Sequence, residues 1–185
     1  MIDKFLQYID LSFRDIPTSL FVGMLLLFLA GAAFLLYYYG FKKGMRWSAL
    51  LLLFEYLFLL ISLTLLFREI PTERRINVFP FWSYRAVWGR GNEPLLTQMI
   101  MNVFAFIPVG FLLGISFPNI KWWKVLLIGG TFSLLIETTQ FVFKRGFAEF
   151  DDVFHNVLGC MIGWGVYLAF VSLAKKMKNH ESLSH

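Results

Sequence analysis

Charge is almost absent from five stretches of this 185-residue chain, each about 20 residues long. That length matches a hydrocarbon core of about 30 Å at about 1.5 Å of helix rise per residue. No water-soluble core requires such blocks. Cysteine is nearly missing as well: the single Cys160 lies inside an apolar block and excludes an intrachain disulfide. A cleavable secretory leader is not expected, because Asp3, Lys4, Asp10, Arg14 and Asp15 interrupt any short apolar core near the start. Acidic or basic excess is small. The net charge of +5 does not suggest nucleic acid, and the basic residues flank apolar blocks, where phospholipid headgroups would lie.

What is present is apolar and aromatic. Apolar residues make up 58% of the chain, with 22 Phe, 6 Trp and 7 Tyr, above the roughly half expected of a soluble domain. The pattern predicts an all-α polytopic membrane protein: five transmembrane helices plus a short N-terminal amphipathic helix. The expected organisation is an interfacial segment over 1–17, a membrane domain over 18–174 and a basic cytoplasmic tail over 175–185. In the N-terminal segment Ile2, Phe5, Leu6, Ile9, Phe13 and Ile16 recur at spacings of three and four. The spans fall at about 18–40, 47–67, 98–117, 125–143 and 153–173. The longest polar stretch, 68–97, carries Arg74, Arg75, Arg85, Arg90, Trp82 and Trp88.

Basic density sets the expected orientation. Three basic residues fall in the six of 41–46 and two in the seven of 118–124, against five in the thirty of 68–97. The dense side is assigned to the cytoplasm, so the N-terminus lies outside and the C-terminus inside.

Two acids stand within spans, Glu55 and Glu137. An ionisable group at membrane depth is costly and is a functional candidate by default. Glu55 stands alone among Leu, Phe and Tyr. Glu137 shares one helix face with Ser133 and Gln140, at spacings of four and three. The fifth span opens with Asp152 and Asn156, again four apart, and Gly159 and Gly163 continue that stripe. Asn102 stands near the start of the third span. Alternating span directions place Asn102, Glu137, Gln140, Asp152 and Asn156 at one shallow level, with Arg145 in the adjoining link as a cation for the acids. Gly110 and Gly114, like Gly159 and Gly163, form small-xxx-small pairs that allow close helix approach, and Pro108 is a kink candidate.

These residues have a known counterpart. Asn77-x-x-Pro80-Phe81, Asn102 with Phe104, Pro108 and Gly110, Ser133-x3-Glu137-x2-Gln140, Arg145, and Asp152-x3-Asn156-x2-Gly159 with Gly163 resemble the VanZ-like membrane protein family over about 77–165. Asp151 and His155 are treated as local variations on that pattern. The resemblance implies a bacterial plasma-membrane protein connected with the cell envelope, in a family whose named member is associated with low-level teicoplanin resistance. It marks Asn102, Glu137, Gln140, Arg145, Asp152 and Asn156 as the candidate ligand-binding set and assigns no catalytic role.

The reading that follows is a binding module. The cluster would hold the head of a membrane lipid, a lipid-linked envelope precursor or a lipoglycopeptide, with no cofactor, no metal and no nucleic-acid partner. The alternative is an intramembrane hydrolase or transferase using Glu137 and Asp152 as its catalytic acid and base. It lacks an evident nucleophile, and a metal version through Glu137, Asp152 and His155 has a thin ligand set. Transport through Glu137 and Glu55 ranks last.

Overall fold

The computed structural model describes residues 17–62, 76–144 and 148–183. The expected amphipathic helix over 2–16, the end of the second predicted span, Arg74, Arg75 and Arg145 lie outside the described residues. Within them the protein is helical: α1 Thr18–Ile61, α2 Trp82–Arg90, α3 Glu93–Ser116, α4 Trp122–Val142 and α5 Phe150–Leu183. Two short strands, β1 Ile76–Asn77 and β2 Ala148–Glu149, pair in parallel and clip the two polar links together. Four of the helices are long and apolar enough to cross a membrane.

The first of these is two crossings in one. Gly40, at φ 71° and ψ 169°, breaks the helix in a conformation that glycine adopts without steric cost. The chain then doubles back. A Cβ added to Gly31 would lie 2.6 Å from Leu51 Cδ2, and one added to Gly44 would lie 2.7 Å from the Leu35 carbonyl oxygen. In one straight helix residues 31 and 51 would stand about 30 Å apart. Tyr39 also stacks on Trp47 at 6.0 Å across the turn. The basic residues Lys42, Lys43 and Arg46, expected in a link, therefore sit in the first turns of the second arm. The helical arms on either side of Gly40 together with α3, α4 and α5 account for five apolar crossings. The first arm faces outward, with Leu25, Leu26, Leu27 and Phe34 more than half exposed, as a lipid-facing helix should be.

Local chemistry sets the helix ends in the polar links. Gly91, at φ 62°, ends α2 in the left-handed conformation, and its N–H donates to the Val87 carbonyl at 2.9 Å. The Asn92 side chain then caps α3 by accepting from the Leu95 N–H at 3.2 Å, with Glu93 and Pro94 in the first turn. α5 starts at Phe150 rather than near 153, and it continues through Lys175, Lys176 and Lys178, so the basic tail is helical as far as it is described.

α3 and α5 run parallel and touch backbone to backbone. A side chain on Gly163 would overlap the Ile107 carbonyl, one on Gly159 the Val103 carbonyl, and one on Gly110 the Cys160 carbonyl. A side chain on Gly114 would collide with the Tyr167 ring. Both predicted small-xxx-small pairs thus face each other. α4 packs antiparallel on α5, where Gly129 admits Cys160 and the thiol lies 3.9 Å from the Val125 carbonyl. The second arm of α1 packs on α3 and adds Ala49, Leu53 and Leu60 to one buried cluster with Phe106, Val109, Leu113 and Ile136. Tyr56 donates its hydroxyl to the Ala105 carbonyl at 2.8 Å.

Gly163→Ala is expected to destabilise the folded protein in detergent by about 1–3 kcal/mol, since the obstructing atoms are backbone. Gly165→Ala, where no atom lies within 4 Å of the added carbon, is expected to be neutral or stabilising. Thermal unfolding of the two variants side by side checks this, and equal midpoints would contradict the packing described.

Candidate functional site

Helix direction assembles the polar level. Because α3 and α5 are parallel and α4 is antiparallel to both, the starts of α3 and α5 and the end of α4 meet at one face. Five polar side chains from α4 and α5 are buried there: Ser133, Glu137, Gln140, Asp152 and Asn156. Asn156 donates its amide to Ser133 Oγ at 2.8 Å, joining α5 to α4. Gln98 donates to Asp152 Oδ2 at 3.2 Å, joining α3 to α5. Glu137 Oε2 accepts the Glu149 N–H at 3.0 Å, which fastens the end of α4 to the strand pair. Each bond contributes to satisfying polar groups whose burial in hydrocarbon without partners would cost several kcal/mol.

Asn102 stands one turn further along α3 than Gln98. It is half-buried, and its amide nitrogen is buried without a hydrogen-bond partner among the described residues. Glu55 is separate in sequence and setting: it sits on the second arm of α1, with Oε1 buried and without a hydrogen-bond partner among the described residues. Among the described residues no group of three or more His, Cys, Asp or Glu is placed to hold a metal ion. An open apolar hollow of about 320 Å³, lined by Leu127, Ile128, Thr131, Phe132 and Leu135, lies on the outward face of α4. It belongs to the lipid-facing surface, not to the polar level.

A second layer sits beside the first, on the α2 side of α5, and it corrects the treatment of Asp151 and His155 as incidental. Asp151 is fully buried. Its carboxylate accepts the Phe81 N–H at 2.6 Å, the Ser83 N–H at 2.9 Å and the Ser83 hydroxyl. Those amides belong to the first turn of α2, whose N–H groups have no partner within the helix. An acid from α5 therefore caps α2 across seventy residues of sequence, with the helix dipole adding to the attraction. Phe81 is held at φ 60°, a left-handed conformation unfavourable for a phenylalanine, and the Asp151 contact stabilises it there. One turn on, His155 Nε2 and the Tyr84 hydroxyl lie 3.0 Å apart, and Phe154 packs edge-on to Phe81 at 5.4 Å.

The first turns of α5 thus point two ways. Asp152 and Asn156 face α3 and α4, while Asp151 and His155 face α2. Gln98 was absent from the predicted set, because nothing local distinguishes it, and Tyr84 was read only as an aromatic of the polar stretch, not as a partner of His155. The signal that was available is the spacing of Asp151 and His155, four apart like Asp152 and Asn156.

Asp151→Ala is expected to leave the Phe81 and Ser83 amides unsatisfied, costing about 1–3 kcal/mol per buried group. Hydrogen exchange should then accelerate in 81–90 while the α3–α5 core stays protected; unchanged exchange in 81–90 would refute the cap. Burial, and secondarily the negative charge of Asp151, push the Tyr84 phenol above its ordinary value of 10. The wild-type minus Tyr84→Phe difference titration at the phenolate absorbance should accordingly have its midpoint above the ordinary value of 10. A transition at or below pH 10 would mean the phenol is not shielded.

The VanZ/LLP1 family model matches residues 53–172. Protein VanZ of Enterococcus faecium is 32% identical over 111 residues, covering 60% of this chain and 61% of that protein. The chain thus spans about three fifths of the length of that relative. No solved structure matches the chain. The family match runs from the second arm of α1 into α5 and encloses both polar layers, and with nearly two thirds of the residues inside it the chain belongs to the VanZ/LLP1 family.

Proposed function

We propose that this membrane protein binds the polar head of a lipid-borne envelope molecule at the Asn102, Glu137, Gln140, Arg145, Asp152 and Asn156 level. The candidates are a membrane lipid, a lipid-linked wall precursor or a lipoglycopeptide. Membership of the VanZ/LLP1 family supports a connection with teicoplanin resistance. The proposed setting is the bacterial plasma membrane with this face outward, the N-terminus outside and the C-terminus in the cytoplasm.

The observation that carries the reading is the gathering of two acids and three amides, from three helices, at one end of an otherwise apolar bundle. Fastening helices together does not require that many, since interhelical hydrogen bonds contribute only about 0.6–2 kcal/mol each. Asn102 supports the reading further, because its buried amide nitrogen is a donor with no acceptor among the described residues. The hydrolase alternative is not favoured. Ser133 Oγ is engaged by Asn156, no described histidine addresses it, and His155 is turned toward Tyr84.

Native mass spectrometry of the detergent-purified protein tests this. The wild type should retain a lipid-class adduct. Glu137→Gln should weaken retention by about tenfold or more, the equivalent of losing one charge-assisted hydrogen bond of about 1.5–3 kcal/mol. Cells expressing that variant at wild-type level should lose any teicoplanin protection the wild type provides. Equal adducts in both proteins, or none in either, would overturn the binding reading.

A further inference from the structure

We infer that the segment 76–90 is a membrane-interface element, docked on the anionic headgroup layer of the bilayer that the apolar helices cross. Its height is set by its attachments. The β1–β2 clip, the Asp151 cap, the Tyr84–His155 pair and the Phe81–Phe154 contact all tie it to the first turns of α5, where that helix enters the apolar zone.

One side of the segment is accounted for by protein and the other is not. Ser83 is buried, and Trp82, Tyr84, Ala86 and Val87 are partly covered. Val78, Phe79 and Trp88 are 67%, 75% and 78% exposed, and Ile76 is more than half exposed. These apolar and aromatic groups, in the plane of the helix ends, are the composition that settles at a headgroup boundary.

Charge identifies the lipid. The sequence from Ile76 to Asn92 contains Arg85 and Arg90 and no Asp or Glu. Both arginines are exposed. Arg85 lies one turn before Trp88, so a guanidinium meets phosphate where the indole meets the acyl boundary. A phospholipid with net negative charge fits this pairing better than a zwitterionic one. The docking surface is distinct from the polar cluster, since its exposed groups, Val78, Phe79, Arg85, Trp88 and Arg90, include none of the proposed ligand-binding residues.

The test uses the full chain in nanodiscs of phosphatidylcholine, with and without phosphatidylglycerol. Spin labels are placed at Phe79→Cys and Trp88→Cys; Cys160 is fully buried, and the unsubstituted protein serves as the labelling control. Both labels should be more accessible to oxygen than to a water-soluble nickel chelate, giving a depth within about 10 Å of the phosphates. Arg85→Gln with Arg90→Gln should abolish any enrichment of phosphatidylglycerol over phosphatidylcholine among co-purified lipids. Labels as open to the nickel chelate as an aqueous loop, or mutual broadening of labels on two copies, would overturn the inference. So would lipid enrichment that ignores the arginine changes.

Discussion

Everything above the membrane midplane depends on how closely α3 and α5 approach. Three glycines place hydrogen atoms where carbonyl oxygens of the partner helix need room, and a fourth accommodates the Tyr167 ring. In hydrocarbon there is no hydrophobic gain from bringing helices together, so association relies on dispersion and polar contact, both of which rise steeply as backbones close. Parallel contact over three turns also locks register. With Val103 seated on Gly159 and Ile107 on Gly163, Gln98 reaches Asp152 and no other acid in the first turn.

That register explains how consecutive aspartates come to serve different neighbours. Successive residues on a helix point about 100° apart, so Asp151 and Asp152 cannot share a face. Asp152 is directed into the bundle, and Asp151 outward to α2. Each is buried, and each is compensated by a different kind of donor: a side-chain amide for one, backbone N–H groups at a helix start for the other. The interior acid belongs to the level where a ligand head would be recognised. The outer acid supports the element above it. His155 and Asn156 repeat the division one turn deeper, toward Tyr84 and toward Ser133.

The same reasoning accounts for α2, a nine-residue helix too short to be stable alone in water. Its stability comes from outside: the Asp151 cap at one end, the Gly91 turn at the other, and aromatic contacts along one side. The aromatic and basic residues of the polar stretch 68–97 are visible in the sequence, but composition alone does not say that 76–90 folds back over the start of α5.

Much of this protein was legible without coordinates because the bilayer is a demanding solvent. Apolar length reports a crossing directly, and alternating crossings put Asn102, Glu137 and Asn156 at one level without knowledge of packing. The glycine pairs could be read for the same reason, since few other causes put small residues four apart in a span. Tertiary structure alone decided which partners those residues meet. The turn at Gly40 converts a predicted basic link into helix, and the pairing of β1 with β2 joins segments seventy residues apart. The role of Asp151 was hidden because its partners are backbone amides, which every residue carries and no sequence pattern singles out.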